Sequence, residues 1–256
     1  GDGTNTFNVS TTAAFVVAGG GLKVAKHGNR SVSSQCGSAD VLETLGVNLD
    51  MTPEVVEECI RGIGIGFLYA PKLHGAMKYA IGPRREVGIR SIFNVLGPLT
   101  NPARANVQVL GVYEAGLTSA LAEVLRRLGI ASALVVFGEG SFDEISIVGP
   151  TQVSELRDGM IRNYCIQPED FGLARADISD IQGGDAEKNS SIIREILAGR
   201  PGPKRDMVLL NAGATFYAAG KVPDIHEGIK MAARSIDSGM AARKLEQLIE
   251  KTNQAE

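Results

Sequence analysis

Several stretches of the 256-residue chain concentrate the residue types that handle anions, metal ions and carboxylates. The richest in donors is Lys26, His27, Gly28, Asn29, Arg30, Ser31, Val32, Ser33 and Ser34, with two fixed cations, an imidazole, an amide and three hydroxyls. Cation, hydroxyl and backbone donors together are what a multiply charged phosphate demands. The stretch follows a short apolar run, the place where α/β sheets present ligands. A solvated surface loop would explain the charge but not the glycine and the hydroxyls. His27 is here either a substrate contact or an ordinary hydrogen-bonded histidine. The opening residues Gly1, Asp2, Gly3, Thr4, Asn5, Thr6, Phe7, Asn8, Val9, Ser10 and Thr11 set glycines, hydroxyls and amides just before a helical pattern. Backbone N–H groups and a helix N-terminus would converge there on an anion, although a capped helix behind a flexible start reads the same way. Asp143 and Glu144 are adjacent carboxylates after an apolar run that ends at Phe137. Hard oxygen ligands of this kind suit Mg²⁺, which keeps several waters and is shared with substrate phosphates; a solvated acidic turn is the plainer reading of the pair alone. Arg84, Arg85 and Arg90 lie in a basic segment that runs into a proline-punctuated turn at 97–102. They form either a salt-bridged face or, through one of them, a bidentate grip on a carboxylate.

These residues have to be positioned by alternating elements, because short β-branched runs interleave with helical patterns in the manner of an α/β fold. A hydroxyl-capped helix is expected at 10–18, a strand at 22–25 and a helix opened by Ser38 and Asp40. Thr52-Pro53 is a further helix start. From there to 101 the periodicity is helical, with glycine breaks and no strand. Residues 107–112, 133–137 and 145–148 read as strands, with a helix at 117–128 completing a βαβ unit. Runs at 152–156 and 161–166 joined through Asp158-Gly159 predict a hairpin, since Asp-Gly supplies positive φ. Helices are predicted over 185–198, 205–219 and 224–250, the last interrupted near Ser238-Gly239. The resulting division is an α/β phosphate-binding part at 1–50, the remnant of a small helical domain at 51–101 and the rest of the α/β domain at 102–256.

The composition narrows the class. With 44% hydrophobic and 21% charged residues the chain can bury a full core, and a net charge of −3 supplies no global field for nucleic acid or an anionic membrane. Any phosphate is held locally. Three widely spaced cysteines argue against a disulfide framework or zinc site and favour a reducing cytoplasm. No run approaches the length of a membrane span, and the first residues lack the pattern of a signal peptide. Because residue 1 is glycine inside what reads as a glycine-rich turn, a segment upstream is expected.

The stretches, taken in order, resemble the anthranilate phosphoribosyltransferase family. Its motifs G-T-G-G-D, N-x-S-T, K-H-G-N-R-x-x-S-S, G-S-A-D-V-L-E-x-L-G, R-x-x-x-G-I-R-x-I-F-N-x-L-G-P-L-T-N-P and D-E are met here by Gly1-Asp2, Asn8-Val9-Ser10-Thr11, Lys26 to Ser34, Gly37 to Gly46, Arg84 to Pro102 and Asp143-Glu144. Only the first is incomplete, as the family's leading helices and the start of its glycine turn are missing. The resemblance implies a central sheet flanked by helices, of the nucleoside phosphorylase/phosphoribosyltransferase type, with a partial small helical domain. It implies transfer of a phosphoribosyl group from phosphoribosyl pyrophosphate to the amine of anthranilate in tryptophan biosynthesis, with Mg²⁺ and as a homodimer when complete. It would place Gly1, Asp2, Thr6, Asn8, Val9, Ser10, Thr11, Lys26, His27, Gly28, Asn29, Arg30, Ser31, Val32, Ser33, Ser34 and Ser38 around phosphoribosyl pyrophosphate. Asn29 and Arg84 would meet anthranilate, and Ser10, Asp143 and Glu144 would hold the metal. No residue is assigned as a general acid or base. A pyrimidine nucleoside phosphorylase and a nucleic-acid-binding relative are the rival readings; the 84–102 block and the retained carboxylates count against them.

Overall fold

The structure is a computed structural model and describes residues 5–31, 35–73, 97, 99–140 and 142–254. Helix α1 (Val9–Gly19) is its centre. It is apolar on nearly every side, with Val9, Phe15, Val16, Val17 and Ala18 all buried, and a helix hydrophobic all round belongs inside a core. The residue before it is Asn8, not a hydroxyl, and no side chain caps its first turn. Strand β1 (Val24–Gly28) follows and runs parallel to β2 (Ile65–Tyr69), with Val24 opposite Ile65. Between them stand α2 (Ser38–Thr44) and α3 (Pro53–Gly62), and a single helical turn, α4 (Ala70–Leu73), comes after β2.

Two expectations change here. The strand expected at 22–25 is shifted, so that Lys26, His27 and Gly28 lie on β1 itself rather than in a loop. The stretch from Thr52 onward is not free of strands either. Gly64, at φ 86°, reverses the chain after α3 and sends Ile65, Gly66, Phe67 and Leu68 back as a buried strand. A short apolar run of this kind carries no period by which to separate strand from buried helix.

Strand β3 (Val107–Gly111), α5 (Leu117–Arg127) and β4 (Ser132–Gly138) form the expected βαβ unit, with β3 and β4 parallel. Strands β5 (Thr151–Arg157) and β6 (Met160–Ile166) add on antiparallel, joined by Asp158 and Gly159 at φ 52° and 75°. Both residues have the positive φ of a type I′ turn. Residues 145–148 are not a strand, because their backbone groups are satisfied otherwise. Ile145 N–H and C=O bond the side chain of Asn211, and Ser146 N–H bonds Thr151 Oγ1. Among the described residues the strands form two sheets, β1-β2 and β3-β4-β5-β6, rather than one.

The last third is helical as expected: α6 (Ala186–Leu197), α7 (Pro203–Ala218), α8 (Ile225–Asp237) and α9 (Met240–Gln254). Asp185 and Asp224 cap α6 and α8 by accepting from Lys188 N–H and Glu227 N–H, each at 2.8 Å. Helices α7 and α8 cross closely at Gly213 and Gly228, where a Cβ on Gly213 would lie 2.7 Å from Ile229 N. Together with α9 they wrap α1. The product is an α/β fold of parallel and mixed sheets flanked by helices, with α1 threaded through the shared core.

Candidate active site

The N-terminus of α1, the C-terminal end of β1 and the segment after β4 meet. Ser10 N–H, in the first turn of α1, donates to Glu144 Oε1 at 3.2 Å across 134 residues of sequence. Lys26 on β1 is half-buried. Burial lowers its pKa, while the neighbouring Glu144 and Asp143 act in the opposite direction. Its ammonium donates to His27 O at 2.9 Å. Burial also pushes the Glu144 carboxyl up to about 8, helped by Asp143, and Lys26 and Ser10 only partly offset this. The acidic segment reaches this place because the two parallel strands beneath it end in glycine. A Cβ on Gly111 would land on the Asp143 carbonyl, and one on Gly138 would sit 2.8 Å from Glu144 O.

The loop after β1 is organised by α2. Asp40 accepts from Ser31 N–H at 3.0 Å and Gly37 N–H at 2.9 Å, and takes a third bond from Arg30. Burial opposes ionisation of Asp40, but these donors outweigh it and hold its pKa below the ordinary value. Ser38 Oγ accepts from Asn29 N–H at 3.2 Å and donates to Asn29 O at 3.3 Å, which fixes the backbone at the tip of β1. Gly28 packs beneath: a Cβ there would meet Ser38 Oγ and stand 2.7 Å from the Phe67 ring. His27 lies beside Gly97, whose Cβ would come 3.2 Å from its imidazole. Arg30 is engaged by the protein's own groups. Its guanidinium bonds Glu43 at 2.8 and 3.1 Å, Asp40 at 3.1 Å and Tyr69 Oη at 3.2 Å, which closes the loop onto α2 and β2.

On the other side of α1, Thr6 bridges to Gln182 and Asn8 donates to Cys36 O at 3.4 Å. The buried Asn189 of α6 donates to Asn8 Oδ1 at 3.0 Å and accepts from Gly184 N–H at 2.9 Å. Thr6, Cys36, Gln182, Gly184 and Asn189, with Asn5, Gln35 and Gly183, line a neutral polar cavity of about 160 Å³. Val9 and Thr11 face inward at 1% and 2% exposure. The Thr11 hydroxyl has no hydrogen-bond partner among the described residues, and Thr11 lines a cavity of about 10 Å³ with Lys26 and Phe67. Gly1, Asp2, Val32, Ser33, Ser34 and Arg84 lie outside the described residues. The structure thus brings Ser10, Lys26, Asp143 and Glu144 together, and sets Asn29 and Ser38 at the adjoining strand tip. Sequence reasoning missed Glu43, Tyr69, Asn189 and Asn211, because a buried amide or a distant carboxylate leaves no local pattern; Asp40 was visible only as a helix opener.

The donor set is small and hard. Among the described residues no group of three or more His, Cys, Asp or Glu side chains converges. Two adjacent carboxylates beside a helix N-terminus, with Asp143 adding to the proton affinity of Glu144, are suited to a divalent cation that takes its other ligands from water and substrate. No helix among the described residues is long and apolar enough to cross a membrane.

The comparisons agree with this arrangement. The family model described as glycosyl transferase family, a/b domain, matches residues 1–242. An anthranilate phosphoribosyltransferase of Geobacter sp. strain M21 is 59% identical over 256 residues, which is 100% of this chain and 73% of the relative. Among solved structures, the anthranilate phosphoribosyltransferase of Thermus thermophilus superposes with a TM-score of 0.94 at 46% identity, covering 99% of this chain and 75% of that one. The Saccharomyces cerevisiae enzyme, in complex with phosphoribosyl pyrophosphate and Mg, gives a TM-score of 0.91 at 32% identity over 99% of this chain and 72% of that one. By the family model and by these relatives, the chain belongs to the anthranilate phosphoribosyltransferase family.

Proposed function

We propose that this protein transfers the phosphoribosyl group of phosphoribosyl pyrophosphate to the amine of anthranilate, releasing pyrophosphate, as a step of tryptophan biosynthesis. The carbon–oxygen bond at ribose C1 breaks as the amine nitrogen bonds to that carbon, and the nitrogen gives up a proton. The observation that carries the reading is the Ser10–Glu144 contact, which sets a helix N-terminus, two carboxylates and a half-buried lysine around one point.

An aromatic amine is neutral near pH 7 and already nucleophilic, so no strong base has to precede attack. The demanding task is to stabilise the departing pyrophosphate while C1 becomes cation-like. Mg²⁺, held by Ser10, Asp143 and Glu144, would neutralise charge on the leaving group. Lys26 adds a positive charge whose cost of burial is offset in part by the two carboxylates. The first turn of α1 directs the Ser10 N–H and the positive end of the helix dipole toward the same place. Asn29, whose backbone Ser38 holds, and Arg84 would orient anthranilate, Arg84 through the substrate carboxylate. Thr6 and Asn8 border the phosphoribosyl side, where neutral amides suit sugar hydroxyls. A cytoplasmic homodimer is the assembly this reading carries, supported by cysteines that stay as thiols and by the likeness to the family.

Incubation with both substrates and Mg²⁺ should consume anthranilate, followed by its fluorescence, and release pyrophosphate one for one. Chelation of the metal should stop both. Pyrophosphate release without anthranilate loss, or phosphate-dependent cleavage of a pyrimidine nucleoside in its place, would refute the proposal.

A further inference from the structure

We infer that Asn211, on α7, is a positioning residue for the acidic pair: by fixing the peptide that follows Glu144 it sets where both carboxylates stand. The inference rests on the proposal that Asp143 and Glu144 hold Mg²⁺. Asn211 is 4% exposed and lies 66 residues beyond Ile145. Its Oδ1 accepts from Ile145 N–H at 2.9 Å, and its Nδ2 donates to Ile145 O and to Met207 O, each at 2.9 Å. The bond to Met207 O, one turn back on the same helix, is the local bond a buried asparagine makes for its own satisfaction. The other two go to a single residue and reproduce the pair of bonds that a neighbouring strand would supply.

Those two bonds matter because Ile145 is itself buried, at 1% exposure, and belongs to a segment that pairs with no strand among the described residues. Its neighbours are held from within the segment, by Thr151 and by Ala176: Ser146 N–H bonds Thr151 Oγ1 at 2.9 Å, Val148 N–H bonds Ser146 Oγ at 3.0 Å, and Ala176 N–H bonds Ile147 O at 2.9 Å. Without Asn211 both backbone groups of Ile145 would be orphaned in the core, a cost that a chain relieves by moving. The segment cannot retreat toward the sheet, because the ends of β3 and β4 already touch Asp143 and Glu144 closely enough to require Gly111 and Gly138. Movement would instead carry Glu144 away from Ser10 N–H, 3.2 Å distant, and open the metal-binding corner.

The test is calorimetric titration of phosphoribosyl pyrophosphate into the protein at a series of Mg²⁺ concentrations, without anthranilate, so that binding is read apart from turnover. Asn211→Ala and Asn211→Asp should each raise the Mg²⁺ concentration needed for half-maximal affinity about tenfold or more. The aspartate variant keeps the volume and the acceptor for Ile145 N–H but replaces the amide donor, so it carries the test if the alanine variant fails to fold. Ser235→Ala removes a different buried bond, 2.7 Å to Val16 O, and should shift that concentration by less than twofold whatever it does to the melting temperature. A folded Asn211 variant with an unchanged Mg²⁺ requirement would overturn the inference and show a purely structural amide. If wild-type binding ignores Mg²⁺, or if Glu144→Gln leaves its Mg²⁺ dependence intact, the assignment of the acidic pair falls, and the inference falls with it.

Discussion

Glu144 shows how the site's own groups balance its charge. Its carboxyl is pushed up to about 8 by burial, with Asp143 adding repulsion. A carboxylic acid whose folded pKa exceeds its ordinary value of 4.5 binds its proton more tightly in the folded state. The stability it contributes is therefore complete below about 4.5 and is lost as pH rises through about 8. In metal-free protein, Glu144→Gln should remove this loss and flatten the melting temperature between those limits. Thermal unfolding in chelator across that range checks it, and a variant with the same pH slope as the parent would show that the carboxyl is not perturbed. The pair itself was legible in the sequence, as two hard ligands after an apolar run. The bracing by Arg30 was not: four bonds to Glu43, Asp40 and Tyr69 tie the loop to α2 and β2. Asp40 and Glu43 read only as helix residues until the fold brought Arg30 onto them.

At the level of elements, periodicity and end signals carried most of the reading. Helices α6 to α9 appeared as apolar faces bounded by Asp185, Asp224 and the Ser238-Gly239 break, and the hairpin appeared through Asp158-Gly159. What failed were segments whose hydrogen bonds come from far away. Strand β2 depends on β1 across 41 positions at Val24 and Ile65, and residues 145–148 look like a strand yet are satisfied by side chains. Glycines separate the two kinds of constraint. Gly159, at φ 75°, has open space around it, so Gly159→Ala should cost about 1 kcal/mol through backbone strain and leave activity within twofold. Gly111 carries no positive φ, but any Cβ there meets the Asp143 carbonyl. Gly111→Ala should cost roughly 1–3 kcal/mol by overpacking and lower kcat/KM at least tenfold by displacing the acidic segment. Denaturant unfolding and initial rates on both variants decide the matter; equal activity in the two would mean that the β3 terminus does not set the site.

Across the whole molecule, one helix joins the catalytic corner to the core. Helix α1 presents Ser10 to Glu144 at one end and packs against α7 and α9 along its length. The placement of Glu144 is thus tied to the buried core. With a net charge of −3 the chain has no general attraction for a polyphosphate, so recognition depends on these few local groups. The central claim is that Asp143 and Glu144 serve the reaction as metal ligands rather than as a solvated turn. The most direct measurement is Mg²⁺-dependent formation of phosphoribosyl anthranilate by Asp143→Asn and Glu144→Gln. Both substitutions should lower turnover by two decades or more at saturating substrates while the circular dichroism spectrum stays that of the parent. Full turnover in both variants, with an unchanged Mg²⁺ requirement, would contradict the account.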